Sequence, residues 1–185
     1  MRSPSQHKIA GPLLSQSTGK EAVFHKHTLV IGYGNIDRQD DGVAWHVLVQ
    51  IAAAAGRVEI DPFETPLVEC NAYLTLLFAL QLTPEMAELV KDYDRVCFVD
   101  AHTGAVDEPV HVEQIKAVYA PSPFTHHLTP SACLSLAESL YNRHPEGLLV
   151  SIRGNEFGFS QDLSPDTVVH AEDAVNQILR WINDG

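Results

Sequence analysis

The stretch "LVIGYGNIDRQDDGVAW", Leu29 to Trp45, decides how the rest of the chain is read. It opens as a β-branched, apolar run ending at Gly32, the pattern of a buried central strand. Two glycines then turn the chain. Asp37, Asp40 and Asp41 follow, with Arg38 beside them, and apolar residues resume at Val43. Over 41–55, Val43, Val47, Val49 and Ile51 stand among alanines, and Gly56 sits where a helix would be closed, so a helix is predicted there.

Working outward, "RVCFVD" (95–100) and "LLVSI" (148–152) read as further buried strands, and the alternating "VHVEQI" (110–115) as an edge strand. "VEI" (58–60) suggests a short strand, and residues 62–71 a loop. "YLTLLFALQL" (73–82) is ambiguous by period, with a buried strand favoured at its end. Thr83 as N-cap and Pro84 at the first helical position predict a helix over 83–93. The same Thr-Pro signal opens 128–143, where Cys133, Leu134, Leu136, Ala137 and Leu140 follow helical spacing. Ser164 caps a last helix over 164–184, with Val168, Ala171, Val175, Ile178, Leu179 and Ile182 on one face.

Apolar strands alternating with amphipathic helices predict an α/β fold. The expected architecture is a three-layer sandwich, a mostly parallel or mixed twisted sheet of about five strands with helices on both faces. Residues 28–185 form one domain. Residues 1–27 are polar, lack the apolar core of a secretory signal, and read as a flexible extension.

The chain has 185 residues, of which 45% are hydrophobic and 19% charged, as expected of a folded globule. Twelve basic against twenty-four acidic residues give a net charge of -12. Phosphate binding needs clustered Lys and Arg, so nucleic acid is an unsuitable partner. No apolar run reaches the ~20 residues that a membrane span needs, so no membrane insertion is expected. Cys70, Cys97 and Cys133 are sparse and lack a CxxC pair, which argues against a disulfide framework and fits a cytoplasmic protein.

In open α/β sheets, ligands bind outside the carboxyl ends of the strands. Asp40 and Asp41 follow the first strand, Asp100 ends "RVCFVD", and His126 and His127 precede a helix, so all can meet on one rim. Each has a plainer reading. Carboxylates at a helix N-terminus cap free N–H groups, an Asp after a strand often bonds the turn, and a His is more often structural than a ligand. Together, two or more carboxylates and one imidazole form a plausible open site for a divalent ion such as nickel, zinc or manganese. "GYGNID" departs from the dinucleotide fingerprint by placing Asp37 where the third glycine belongs. No G-x-S-x-G elbow or H-E-x-x-H helix occurs. A Cys–His nucleophile pair is poorly supported, because Cys97 and Cys133 fall on apolar faces and Cys70 is the only loop-like thiol.

These same junctions resemble the [NiFe]-hydrogenase maturation endopeptidases. The matching segments are "IGYGNIDRQDDGV", "VCFVDAHTG", "THHLTPSACL" and the late "FGFSQDLSP", spanning about residues 28 to 183. The resemblance implies that Asp41, Asp100 and His126 bind a metal and that catalysis runs through it, with no separate nucleophile. It also implies removal of a C-terminal extension from the hydrogenase large-subunit precursor. The nickel already inserted in that precursor is then the recognition element; another divalent metal in the isolated protein is an alternative. Asp40 would cap the helix and hold the loop, while Asp37 and Arg38 would point outward toward the precursor. This chain departs from the family at Asp37, at Gln39 (often Gly) and at Ala44. "LQLTPEMAEL" resembles the branch that processes bidirectional or NAD-linked hydrogenases. The rival is a non-catalytic module that recognises or chaperones a metalloprotein through the same ligands.

Overall fold

The computed structural model describes residues 26–57, 61, 66–104, 106–118 and 128–184. The expected strand over 58–60, and both His126 and His127, lie outside these residues.

Six strands form one sheet: β1 (Thr28–Tyr33), β2 (Leu67–Asn71), β3 (Leu74–Ala79), β4 (Arg95–His102), β5 (Val110–Ile115) and β6 (Glu146–Arg153). Their order is β2-β3-β1-β4-β6-β5. β3, β1, β4 and β6 are mutually parallel; β2 and β5 pair antiparallel at the two edges. The α/β class and the mixed sheet are as expected, but the strand count is six rather than about five. The additional strand is β2, in the stretch read as a loop. Most of its side chains face solvent, so it carries little of the apolar signal that marks a buried strand. Its pairing with β3 is what makes it a strand. That pairing also places Cys70 in a buried position instead of a loop. Residues 74–79 resolve as strand.

The helices are α1 (Val43–Ala54), α2 (Met86–Val90), α3 (Pro130–Tyr141) and α4 (Pro165–Asn183). α1 and α4 cover one face of the sheet, closing over Val30, Cys97, Val99, Val150 and Ile178. α2 and α3 cover the other, over Leu29, Ile31, Val96, Phe98 and Cys133. α3 begins as its sequence predicts: the Thr129 hydroxyl accepts from the Ala132 N–H at 3.2 Å, with Pro130 leading the first turn. α2 is much shorter than its 83–93 signal and starts after Glu85. Met86 and Ala87 bond to the carbonyls of Thr83 and Pro84, three residues back, so the Thr-Pro pair forms a tight turn ahead of the helix. Leu140 and Val168, placed by period on core-facing stripes, are exposed.

Arg95, at the start of β4, is a buried cation with a defined task. Its guanidinium donates to the carbonyls of Trp181 and Ile182 at 2.7 and 2.9 Å and stacks on the Trp181 ring. It thereby satisfies free carbonyls at the C-terminus of α4, where positive charge also complements the helix dipole. Among the described residues no helix is long and apolar enough to cross a membrane.

After β1 the chain builds toward β3 on one side, then returns to lay β4 on the other. The strand order thus reverses between β1 and β4, and the crevice beyond their carboxyl ends is where such sheets bind ligands.

Candidate metal-binding site at the β1–β4 switch point

The loop after β1 is built to hold Asp41. Gly34 adopts φ +138, and a Cβ there would lie 2.1 Å from the Asp41 carbonyl oxygen, so no other residue fits. The Asn35 N–H donates to Asp41 Oδ2 at 3.0 Å. The Asn35 side chain accepts from the Asp37 N–H at 3.0 Å, and the Asp41 N–H bonds back to the Arg38 carbonyl. These bonds aim the half-buried Asp41 carboxylate along the rim.

Asp40, its neighbour, turns inward and is wholly buried (0% exposed). It does not cap α1, whose N-cap is Gly42 without a side-chain bond. It holds the loop, as expected, but through the far end of the chain. Oδ1 accepts from the Ser164 N–H at 2.8 Å. Oδ2 accepts from the Asn155 and Glu156 N–H groups at 2.8 Å, and the hydroxyls of Ser164 and Thr167 lie 2.7 and 2.9 Å from it. Burial alone would raise the pKa of Asp40; the bonds from Ser164, Glu156 and Asn155 outweigh it and hold the carboxyl below its usual range. Ser164 does begin α4, yet its hydroxyl serves Asp40 rather than the helix end. Gly154 permits the approach: a Cβ there would meet that of Asp40 at 2.8 Å.

Gln39 tightens the same junction. It sits at φ +49, a conformation that L side chains adopt at a cost. Its N–H donates to the Ser160 carbonyl, its amide oxygen accepts from the Gly158 N–H, and its amide nitrogen donates to Glu156 Oε2. Asp37 is exposed, as expected, but is also engaged: its Oδ1 accepts from Gln161 Nε2 at 2.7 Å.

Asp100 lies near the end of β4, across the switch point. Its Oδ1 accepts from the Ala101 N–H at 2.8 Å. Burial raises its pKa to about 6, and the negative charge of Asp41 adds to the shift. The Tyr33 hydroxyl and the Ala101 N–H, both donating to the carboxylate, oppose it. Burial and the Asp100 charge push the Tyr33 phenol upward, so it stays a donor. The Asp41 charge therefore reaches Asp100 across the switch point.

Two further residues belong to this rim and are not marked by sequence. Tyr33 looks like one more apolar strand residue until β4 is laid beside β1. His102 lies two residues beyond Asp100, on the same face, and is 8% exposed. Its Nδ1 accepts from the Gly104 N–H at 3.1 Å, which puts the ring proton on Nε2. Among the described residues Nε2 has no partner of good hydrogen-bond geometry, and the nearby Glu108 backbone opposes the loss of the ring's charge. Burial, then the Arg153 charge, push this imidazole's pKa down, so it is a neutral donor.

Of the three proposed ligands, Asp41 follows β1 and Asp100 lies on β4, on the two sides of the switch point and near enough for the Asp41 charge to bear on Asp100, while His126 lies outside the described residues. Two carboxylates from separate junctions suit a divalent ion with N or O ligands. Among the described residues no three His, Cys, Asp or Glu side chains gather closely enough to hold a metal. The cysteines offer no nucleophile: all three are buried, and burial pushes their thiols up, that of Cys133 to about 12.

No family model and no curated protein matches the sequence. Solved structures do match the fold. The chain is similar to the hydrogenase maturating endopeptidase HybD from E. coli, with a TM-score of 0.61 and 20% identity over 85% of this chain and 93% of that one. It is similar to the [NiFe] hydrogenase maturation protease HycI from Thermococcus kodakarensis KOD1, with a TM-score of 0.56 and 18% identity over 85% and 94%. The [NiFe] hydrogenase maturation protease HybD from Thermococcus kodakarensis gives 0.55 and 16% over 84% and 99%. Likeness at such identities is likeness of fold: this chain has the α/β fold of hydrogenase maturation endopeptidases of known structure.

Proposed function

We propose that the protein is an endopeptidase that removes a C-terminal extension from the nickel-loaded large-subunit precursor of a [NiFe] hydrogenase, in the cytoplasm. The observation that carries this reading is the division of labour at Asp40 and Asp41. Asp40 is consumed by five internal hydrogen bonds. Asp41 is aimed at the rim where β1 and β4 diverge, beside Asp100. The fold shared with HybD and HycI supports it.

In this reading Asp41, Asp100 and His126 are ligands to the nickel that the precursor brings. Two carboxylates offset the charge of a divalent ion, and an imidazole completes a site that still has open positions. The nickel is then part of the substrate: a precursor without it lacks the group that Asp41 and Asp100 recognise. Hydrolysis adds water to the scissile carbonyl carbon and breaks the C–N bond. The new carboxylate stays on the subunit and the proton goes to the departing amine. The precursor nickel would polarise that carbonyl or acidify the water. A precursor from the bidirectional or NAD-linked branch is the first to test.

The test is the intact mass of large-subunit precursor incubated with this protein, with and without nickel loading. Loss of a C-terminal peptide from the loaded form alone is the expected result. A precursor that binds and keeps its mass would move the function to recognition or chaperoning.

A further inference from the structure

Phe159 is 97% exposed, the most exposed large apolar side chain among the described residues. Exposed aromatics are common on mobile loops, but this loop is pinned. Between Gly154 and Leu163, the N–H groups of Asn155 and Glu156 are taken by Asp40. Gly158 and Ser160, on either side of Phe159, are both bonded to Gln39. Gln161 is tied to Asp37 through its side chain and to His46 through its carbonyl. The aromatic ring is thus held out to solvent by a braced support that also carries the Asp41 loop.

With the loop backbone already ordered, docking of Phe159 costs only the rotamer freedom of one stiff aromatic side chain, a favourable property for a binding hot spot. The surroundings specify the kind of pocket. Glu156 and Asp162 flank Phe159 on the loop, Asp37 is tied to the loop through Gln161, and Asp166 follows at the start of α4; all four are exposed, against the exposed Arg38. A partner must offer an apolar pocket with a basic rim.

We infer that the Gly154–Leu163 loop is the docking knob for the protein substrate, with Phe159 seated in an apolar, basic-rimmed pocket on the precursor's folded surface. This rests on the endopeptidase reading and deepens it. The metal ligands would test the state of the precursor's nickel, while Phe159 would set the precursor's affinity and orientation. Both act on one support, since Asp40 and Gln39 hold the knob while Asp41 reaches the rim.

The experiment compares wild type, Phe159→Ala and Phe159→Leu for binding and cleavage of nickel-loaded large-subunit precursor, at low and high salt. Phe159→Ala is expected to raise Kd and KM about tenfold or more, with kcat within about twofold and an unchanged melting temperature. Phe159→Leu should recover part of the loss, and added salt should weaken binding by wild type. Cleavage with an unchanged KM in Phe159→Ala overturns the docking role and leaves the endopeptidase reading standing. Binding that needs Phe159 without any cleavage keeps the knob and overturns the peptidase. Sedimentation supplies the remaining arm: a wild-type dimer dissociated by Phe159→Ala, with KM unmoved, would assign the knob to a second copy of this chain and overturn the inference.

Discussion

Asp40 receives both the backbone N–H and the hydroxyl of Ser164, at 2.8 and 2.7 Å, from 124 residues further along the chain. This pair joins the loop after β1 to the start of α4. It also fixes which of two adjacent carboxylates is engaged inside the fold, leaving Asp41 at the half-buried edge of the loop.

Removing the latch should cost stability. Asp40→Ala leaves several buried donors without an acceptor, each worth about 1–3 kcal/mol, so a loss of about 3 kcal/mol or more is expected in urea denaturation at neutral pH. The folded-state pKa of Asp40 is lowered, so its contribution is present above the ordinary carboxylate pKa and is lost as pH falls through the folded value. The gap between wild type and variant should therefore narrow on strong acidification.

Asp41→Asn should abolish processing while the circular dichroism and melting temperature stay close to wild type. The carboxamide oxygen can still accept from the Asn35 N–H, but it is a much poorer metal ligand. Normal processing by this variant would falsify the ligand assignment.

Asp100 titrates in the opposite sense to Asp40. Its pKa is raised from 3.8 to about 6, so its stabilising contribution is complete below 3.8 and is lost as pH rises through about 6. In metal-free protein, Asp100→Asn should be more stable than wild type above pH 6, by about 1 kcal/mol or more. The two should converge at lower pH. Thermal melts across this range check the sign.

Tyr33→Phe should push the Asp100 titration above its wild-type midpoint, because the phenol's hydrogen bond is stronger to the ionised carboxylate than to the neutral acid and so opposes the effect of burial. Carboxyl NMR of the metal-free protein reads the midpoint directly. An unmoved midpoint would remove Tyr33 from the site.

Arg95→Ala should lower the melting temperature without touching the rim. It exposes two α4 carbonyls to an emptied space and removes the stacking on Trp181. A loss of about 2 kcal/mol is expected. Hydrogen exchange should loosen first in the last turn of α4.

Some of this molecule is legible along the chain. The runs at 28–32, 95–100 and 148–152 are strands because their centres are short apolar stretches rich in β-branched residues, which suit a sheet buried on both faces. Thr129 and Pro130 open α3 as their types predict, and the α/β class follows from the alternation. Asp41 and Asp100 stand out as candidate ligands because sites in such sheets gather where strands end, and the structure places them on the two sides of the switch point. Gln39 sits at φ +49, a backbone conformation that favours glycine and that its residue type does not announce.

Other features were beyond local reading, for one physical reason: they depend on partners far away in sequence. β2 is a strand only because β3 offers it an edge. α2 is short because its first residues form a turn. Asp40 looks like a helix cap until Asn155, Glu156, Ser164 and Thr167 arrive. Tyr33 and His102 join the site only once the strand order β3-β1-β4-β6 places their neighbours. Residue type and spacing determined most of the strands and helices and singled out Asp41 and Asp100 as candidate ligands. The tertiary structure alone decided which acid faces inward, which tyrosine holds Asp100, and that an exposed phenylalanine stands on a rigid support, since hydrogen bonds and burial across the sheet are not encoded in any one segment.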